Sequence, residues 1–381
     1  MELINVDDAR EAARRRLPRI FFDYIDGGSF GEATLRANRS DFERWRLVQH
    51  VLVNPERRDL TTAYLGTRHP LPFMLGPVGF LGLYAGRGEE QATRAAHAAG
   101  LPLCLSSFSI ASIADLRRES AGPLMFQLYI LKDRGLCEEF LAEAEKAGVD
   151  TLFLTVDTAI TSVREKDVRN GFRALTKVSP ALLAQFLGRP AWFYDLMRHG
   201  APEVRAVRHK PEFGKGVLAQ AAALSSRIDQ TLSWRDVAWL RGRWKGRLVV
   251  KGILAAEDAL RVRDEGADAV VISNHGGRQL DCASSTIGVL PEIAEALGGS
   301  LEILIDGGFR RGSDIVKALA LGASGVLLGR AYAFALAAAG TAGVSRIIEA
   351  LARETDITLA LMGIDSVDAL KATGRAALRA A

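Results

Sequence analysis

Eight short apolar runs punctuate the chain, each followed by small or polar residues: Phe73–Pro77, Leu101–Leu105, Leu124–Tyr129, Thr151–Val156, Leu248–Lys251, Ala269–Ser273, Glu302–Ile305 and Gly325–Leu328. Helical periodicity fills the gaps, over Glu89–Ala99, Ile113–Glu119, Gly135–Ala147, Trp234–Arg243, Ala256–Glu265, Ile287–Leu297 and Ser313–Leu321, with one more helix at Tyr332–Ala339. Alternation of strand and helix signals parallel pairing through helical crossovers. Ala99-Gly100, Ala147-Gly148 and Leu321-Gly322 read as helix ends before the next strand. Eight such units in 381 residues predict a closed (β/α)8 TIM barrel of the α/β class, in a single domain 1–381. The barrel is expected over 71–158 and 234–353, behind a helical N-terminal lead-in, 1–70. A helical tail, 354–381, is expected to follow it. Residues 159–233 form a long insertion between strands four and five, a length that marks a functional or mobile segment.

Composition narrows the classes. Hydrophobic residues at 48% and charged residues at 25% fit a globular chain with an ample core, and a net charge of +4 suits anionic ligands or an anionic membrane face. Basic residues are dispersed and no zinc-finger or basic-region motif occurs, so no nucleic-acid partner is expected. Cys104, Cys137 and Cys282 are far apart, which argues against a disulfide framework or a bound metal and fits a reducing cytoplasm. Met1–Pro18 is charged and lacks the apolar stretch of a signal peptide, and no uninterrupted apolar run is long enough to span a bilayer.

A barrel of this kind places its chemistry at the C-terminal strand ends. Those ends carry Pro77-Val78-Gly79, Ser106, Gln127 with Tyr129, Thr155 with Asp157 and Arg164, Lys251, Ser273-Asn274-His275 with Arg278, Asp306-Gly307-Gly308-Phe309-Arg310 and Gly329-Arg330. One polar strand end is ordinary; a ring of them is a site. A lone Gly-Gly is a plain turn, but glycine–arginine groups on the last two strands suit a phosphate, with backbone N–H groups and guanidinium charge on its oxygens. There is no GxGxxG and no GxxxxGK, which removes Rossmann and P-loop readings. His275, three residues from Arg278 across two glycines, sets a general base beside a carboxylate clamp, and Asp157 could orient the imidazole or serve as a loop cap. Lys251 ends an apolar strand and needs a partner or a task; a Schiff-base lyase through this amine is the distant alternative.

At these residues the sequence resembles the FMN-dependent α-hydroxy-acid dehydrogenase and oxidase family. Ser273–Asp281 (SNHGGRQLD) is the most specific match, joined in order by Asp23–Gly28 (DYIDGG), Gly76–Gly82 (GPVGFLG), Phe126–Tyr129 (FQLY), Thr155–Asp157 (TVD) and Asp306–Asp314 (DGGFRRGSD). The resemblance implies FMN as cofactor and a small L-2-hydroxy acid as substrate. It gives His275 the role of base, with Asp157 as its partner. Arg278 and Arg164 would hold the substrate carboxylate, helped by Tyr24 and Tyr129. Pro77, Val78, Gly79, Ser106, Gln127, Thr155, Lys251 and Ser273 would hold the flavin ring and ribityl chain. Asp306, Gly308, Arg310, Gly329 and Arg330 would complete the ribityl and phosphate site. Gly79 stands where family oxidases tend to carry Ala, which favours a dehydrogenase passing electrons to a quinone or other acceptor over an oxidase using oxygen. Phe108, near the substrate side chain, narrows the pocket towards lactate or stacks on an aryl substrate such as mandelate. Barrels of this family often form homotetramers.

Within the insertion, Pro180–Met197 combines apolar and aromatic residues with flanking Arg189, Arg198, Arg205, Arg208 and Lys210. Two expectations follow: peripheral contact with the inner face of the cell membrane, or a mobile loop folded over the barrel mouth of a cytoplasmic enzyme.

Overall fold

The computed structural model describes residues 2–53, 57–172 and 180–381, the side chain of Ala181 apart. Positions 54–56 of the lead-in and 173–179 of the insertion lie outside the described residues. Eight parallel strands close into a barrel: β1 Phe73–Leu75, β2 Leu103–Ser106, β3 Leu124–Leu128, β4 Thr151–Thr155, β5 Arg247–Ile253, β6 Ala269–Ile272, β7 Glu302–Ile305 and β8 Gly325–Leu328. Closure comes where β8 meets β1, with Val326 opposite Phe73 and Leu328 opposite Leu75. The runs are apolar throughout because both faces are covered. Met74, Cys104, Met125, Phe153, Val249, Val271, Leu304 and Leu327 fill the interior, while their chain neighbours pack in the outer layer with the helices. The crossover helices start on side-chain caps, as at Ser112 with Asp115 and at Asp133.

Three sequence expectations need correction. The lead-in is helical only in part. After helices Val6–Arg16, Arg19–Asp26 and Ala33–Ser40, it forms a hairpin of Thr62–Tyr64 and Thr67–His69. Its Tyr64 joins the barrel-interior cluster, donates to the Phe73 carbonyl at 3.1 Å and stacks on His69. This hairpin plugs the N-terminal end of the barrel, leaving the other end open. The tail is not wholly helical either, because Leu378–Ala380 pairs antiparallel with Trp45–Leu47. Finally, the helix expected at Tyr332–Ala339 belongs to a longer apolar stretch, Arg330–Leu361, kinked at Ala339 and Gly340. Length and composition would let it cross a membrane, but its apolar window is 61% buried and it packs against the barrel's helices and the first helix, as a core helix does.

Candidate active site

At the end of β4, Asp157 meets a glycine in β5. Gly252 sits at φ +115°, where the pairing of β5 with β6 slips register, and a Cβ there would lie 2.7 Å from the Asp157 Cβ. Only glycine lets the carboxylate lie so close to the strand. Asp157 Oδ1 is 2.9 Å from Nδ1 of His275, which leaves Nε2 as the imidazole's other functional atom. His275 follows β6 at φ +56°, a left-handed conformation that costs a β-carbon residue about 1–2 kcal/mol. Its backbone N–H donates to Ser273 Oγ at 3.1 Å.

Burial lowers the His275 pKa more than Asp157 raises it, so it falls below the usual imidazole value and the ring is neutral at neutral pH. Burial lifts the Asp157 carboxyl, but His275 and Lys251 outweigh it and hold the group below its ordinary range, hence ionised. Lys251 Nζ lies 3.0 Å from Asp306 Oδ2 and donates to Ser273 Oγ at 2.8 Å. Burial lowers its pKa, yet Asp306 and Asp157 carry the net change upward. It is therefore held as an ammonium ion, whereas a Schiff base requires the free amine, which counts against the lyase alternative.

Three guanidiniums gather across the mouth. Arg278 Nη1 donates to the Tyr24 and Gly27 carbonyls at 2.6 and 2.8 Å. Among the described residues, its Nε and Nη2 make no hydrogen bond. Arg330 donates to the carbonyls of Ile25, Gly276 and Gly27, so part of the charge assigned to phosphate is spent on tying down the lead-in. Arg310 donates to its neighbour Phe309. Burial, then Arg39, pulls the Arg310 pKa down to about 10, while burial, then Arg278 and Arg310, pulls Arg330 well below its usual value. Among the described residues no carboxylate lies within ion-pair distance of these three arginines.

A cavity of about 890 Å³ joins these groups. Of the residues singled out from sequence, Tyr24, Pro77, Val78, Gly79, Ser106, Phe108, Tyr129, Thr155, Arg164, Lys251, His275, Arg278, Asp306, Gly308, Arg310, Gly329 and Arg330 line it. Asp157, Ser273 and Gln127 do not, and act through His275, Lys251 and Ser106 respectively; Ser106 Oγ donates to Gln127 Oε1 at 2.9 Å. Phe108 packs against Tyr129, ring centres 4.8 Å apart. Tyr24 stacks on Phe172 at 4.3 Å and lies beneath the Arg278 guanidinium at 4.9 Å.

The insertion lies over the barrel mouth, one of the two expectations for it, and builds the far wall of the cavity. Phe172, Leu182, Phe186, Val217 and Leu218 of the insertion line the cavity, as does Tyr84, whose buried hydroxyl has no hydrogen-bond partner among the described residues. The apolar cluster of Pro180–Met197 is consequently only half outward-facing. Leu182 and Trp192 are buried, and the Trp192 indole donates to the Leu83 carbonyl at 2.8 Å. Leu183, Leu187, Tyr194 and Met197 are the exposed members.

A parallel barrel whose open end gathers an imidazole–carboxylate pair and three crowded arginines has the makings of an oxidoreductase that holds an anionic cofactor. The model of the FMN-dependent dehydrogenase family matches residues 13–376, and the chain belongs to that family. It is 45% identical over 375 residues to an L-lactate dehydrogenase of Caulobacter vibrioides, covering 98% of this chain and 97% of that one. An L-lactate dehydrogenase of Pectobacterium atrosepticum is 43% identical over 364 residues, 94% of this chain and 93% of its own. Among solved structures, the monotopic membrane protein (S)-mandelate dehydrogenase superposes with a TM-score of 0.94 at 40% identity, over the whole of both chains. A soluble mutant of the membrane-associated (S)-mandelate dehydrogenase from Pseudomonas putida gives 0.83 at 39%, again over both chains entire.

The residues present fit the family's FMN. Among the described residues, buried Gln127 Nε2 and Asp306 Oδ1 have no hydrogen-bond partner, a cost that a polar ring and ribityl chain would relieve. The crowded arginines call for an anion such as a phosphate. Gly308, at φ +86°, keeps its Cβ position clear of the Asn38 carbonyl, which would lie only 1.8 Å away. The glycine thus brings backbone and lead-in together beside that charge.

Proposed function

We propose that this FMN-dependent dehydrogenase oxidises an L-2-hydroxy acid to the 2-oxo acid, with L-lactate giving pyruvate, and passes the electrons to a quinone. The observation that carries the reading is a neutral imidazole, oriented by an ionised carboxylate, facing the same cavity as an arginine with unused donors. His275 Nε2 accepts the proton that leaves the substrate, and Asp157 steadies the imidazolium that forms. Arg278, with Nε and Nη2 unspent, takes the substrate carboxylate, and Arg164 adds charge from the insertion. Tyr24 and Tyr129 place their hydroxyls on the polar end of the substrate, while Phe108 limits its side chain.

Pro77–Gly79, Ser106, Gln127, Thr155, Lys251 and Ser273 would hold the flavin ring and ribityl chain. Asp306, Gly308, Arg310, Gly329 and Arg330 would hold the ribityl chain and phosphate. Bound FMN supplies the acceptor for the two electrons. The Lys251 ammonium offers its charge to the ring edge, and the insertion wall keeps water out of the cavity. Relatives named for lactate share more sequence with the chain than the mandelate enzymes do. The Phe108–Tyr129 pair crowds the pocket in the same sense.

A second reading, (S)-mandelate, has its own observation: Phe172, Phe186 and Phe108 offer aromatic faces to an aryl ring. Peripheral attachment to the inner face of the membrane is supported by the exposed Leu183, Leu187, Tyr194 and Met197 beside basic residues. The decisive experiment is anaerobic bleaching of the purified flavoprotein by L-lactate and by (S)-mandelate, then reoxidation by a soluble quinone or by oxygen. Lactate should bleach it at the lower concentration and quinone should reoxidise it faster. His275→Gln should keep its flavin and lose on the order of 10²–10⁴-fold in turnover. Bleaching by neither acid, or near-normal turnover in that variant, would sink the reading.

A further inference from the structure

Away from the barrel mouth, a second cleft of about 320 Å³ opens between the C-terminal turn of helix Val6–Arg16 and the elbow at Gly188–Ala191. The elbow joins helices Pro180–Leu187 and Pro190–His199. Its charged lining residues are Arg15, Arg16 and Arg189, with no carboxylate among them. Two acids lie close by and are already shared. Glu11 accepts from both Arg14 and Arg15, and Asp195 stands 3.5 Å from Arg16. Arg189 donates Nε to the Leu17 carbonyl at 3.0 Å. Among the described residues its other donors make no hydrogen bond. Arg16 donates Nη1 to the Ala338 carbonyl at 3.3 Å, and its Nε is buried without a partner among the described residues. The elbow also starts a ten-residue helix with Pro190 in its first turn, a favourable end for an anion. The exposed side chains on these two helices are apolar in Leu183, Leu187, Tyr194 and Met197, at 46%, 61%, 69% and 64% exposure.

We propose that this cleft is a binding site for the phosphate of a glycerophospholipid, with the acyl chains running along those four side chains. Arg189 supplies donors to the phosphate oxygens, and Arg15 and Arg16 supply charge around it. The chemistry requires an oxyanion next to hydrocarbon: a free phosphate would satisfy the arginines and leave the apolar side chains in water. The inference rests on the membrane attachment proposed above and adds a defined, saturable site to it.

The test uses FMN-loaded enzyme, so that the flavin site is filled, and a short-chain phosphatidic acid kept below its micelle concentration. Calorimetry should show one lipid per chain, with unchanged flavin absorbance and much weaker binding of inorganic phosphate. Arg15→Gln/Arg189→Gln should weaken this binding at least tenfold, while Arg19→Gln/Arg198→Gln, which removes the same charge outside the cleft, should change it less than threefold. Dye-linked turnover should be unaffected in both. Equal loss in the two variants, inorganic phosphate binding as tightly as the lipid, or no lipid binding by the parent would overturn the site. Sedimentation with anionic vesicles judges the attachment separately. A protein that sediments but ignores monomeric lipid has the attachment without the site, and one that binds monomeric lipid but never sediments has the site without the attachment.

Discussion

His275 Nδ1 and Asp157 Oδ1 face each other at 2.9 Å, although 118 residues separate them along the chain. Their contact follows from adjacent barrel positions, with β4, β5 and β6 side by side, and from Gly252, which clears the space between. The pair makes the pH dependence directional. A base works only when unprotonated, so kcat/KM should fall as pH drops through a His275 pKa that lies below 6.5. Asp157 raises that pKa, so Asp157→Asn should move the acid limb to lower pH while cutting turnover by roughly 10²–10⁴-fold, because the imidazolium loses its counter-charge. A pH–rate series on both proteins checks this; an acid limb that stays put or moves up contradicts the pairing.

Arg278 divides its donors between the lead-in and the cavity. Arg278→Lys keeps the charge but loses the planar fork, so it should raise KM for the hydroxy acid and lower kcat. Because Nη1 also binds the Tyr24 and Gly27 carbonyls, the melting temperature should drop as well. Steady-state kinetics and thermal melts together separate the two duties. Unchanged KM would remove Arg278 from the carboxylate.

At Gly308, a methyl group has nowhere to go: its position lies 1.8 Å from the Asn38 carbonyl and φ is +86°. Gly308→Ala should destabilise the protein by about 1–3 kcal/mol and weaken FMN retention, since backbone cannot yield as a side chain can. Flavin content after gel filtration and a denaturant midpoint measure both effects. A holoprotein of normal stability would show that the lead-in shifts freely.

Excising Pro180–Met197 would strip the cavity wall and the Trp192–Leu83 hydrogen bond, so the exposed face must be tested by substitution. Leu183→Ser, Leu187→Ser, Tyr194→Ser and Met197→Ser together should lower vesicle binding by at least tenfold and leave dye-linked turnover within about twofold, since these side chains do not line the cavity. Undiminished vesicle binding would move any membrane contact elsewhere.

The barrel was legible because both faces of its strands are covered, which turns each strand into a dense apolar run such as Leu124–Leu128. The site was legible where chemistry sits at strand ends, as with His275 and Lys251. What escaped obeys other physics. Leu378–Ala380 is a three-residue strand with too few residues to show alternation, and its pairing with Trp45–Leu47 is a purely long-range fact. Phe172 gave no signal and Phe186 stood only as one of an apolar cluster, because nothing local reports which face of an insertion turns inward. The second duty of Arg330, fastening the lead-in, was hidden because donors to distant carbonyls leave no trace in sequence.

Those carbonyls carry a consequence for the order of assembly. Residues Tyr24 to Gly27 are made well before the arginines that fasten them, which lie 251 to 305 positions downstream. The lead-in therefore has to wait, tethered but undocked, until β6 and β8 exist. Contacts so remote in sequence form slowly, because the whole intervening loop must close before they are rewarded. The active site is sealed by an early segment meeting much later ones, and a nascent polypeptide halted before Arg330 should emerge without a complete cradle for its flavin.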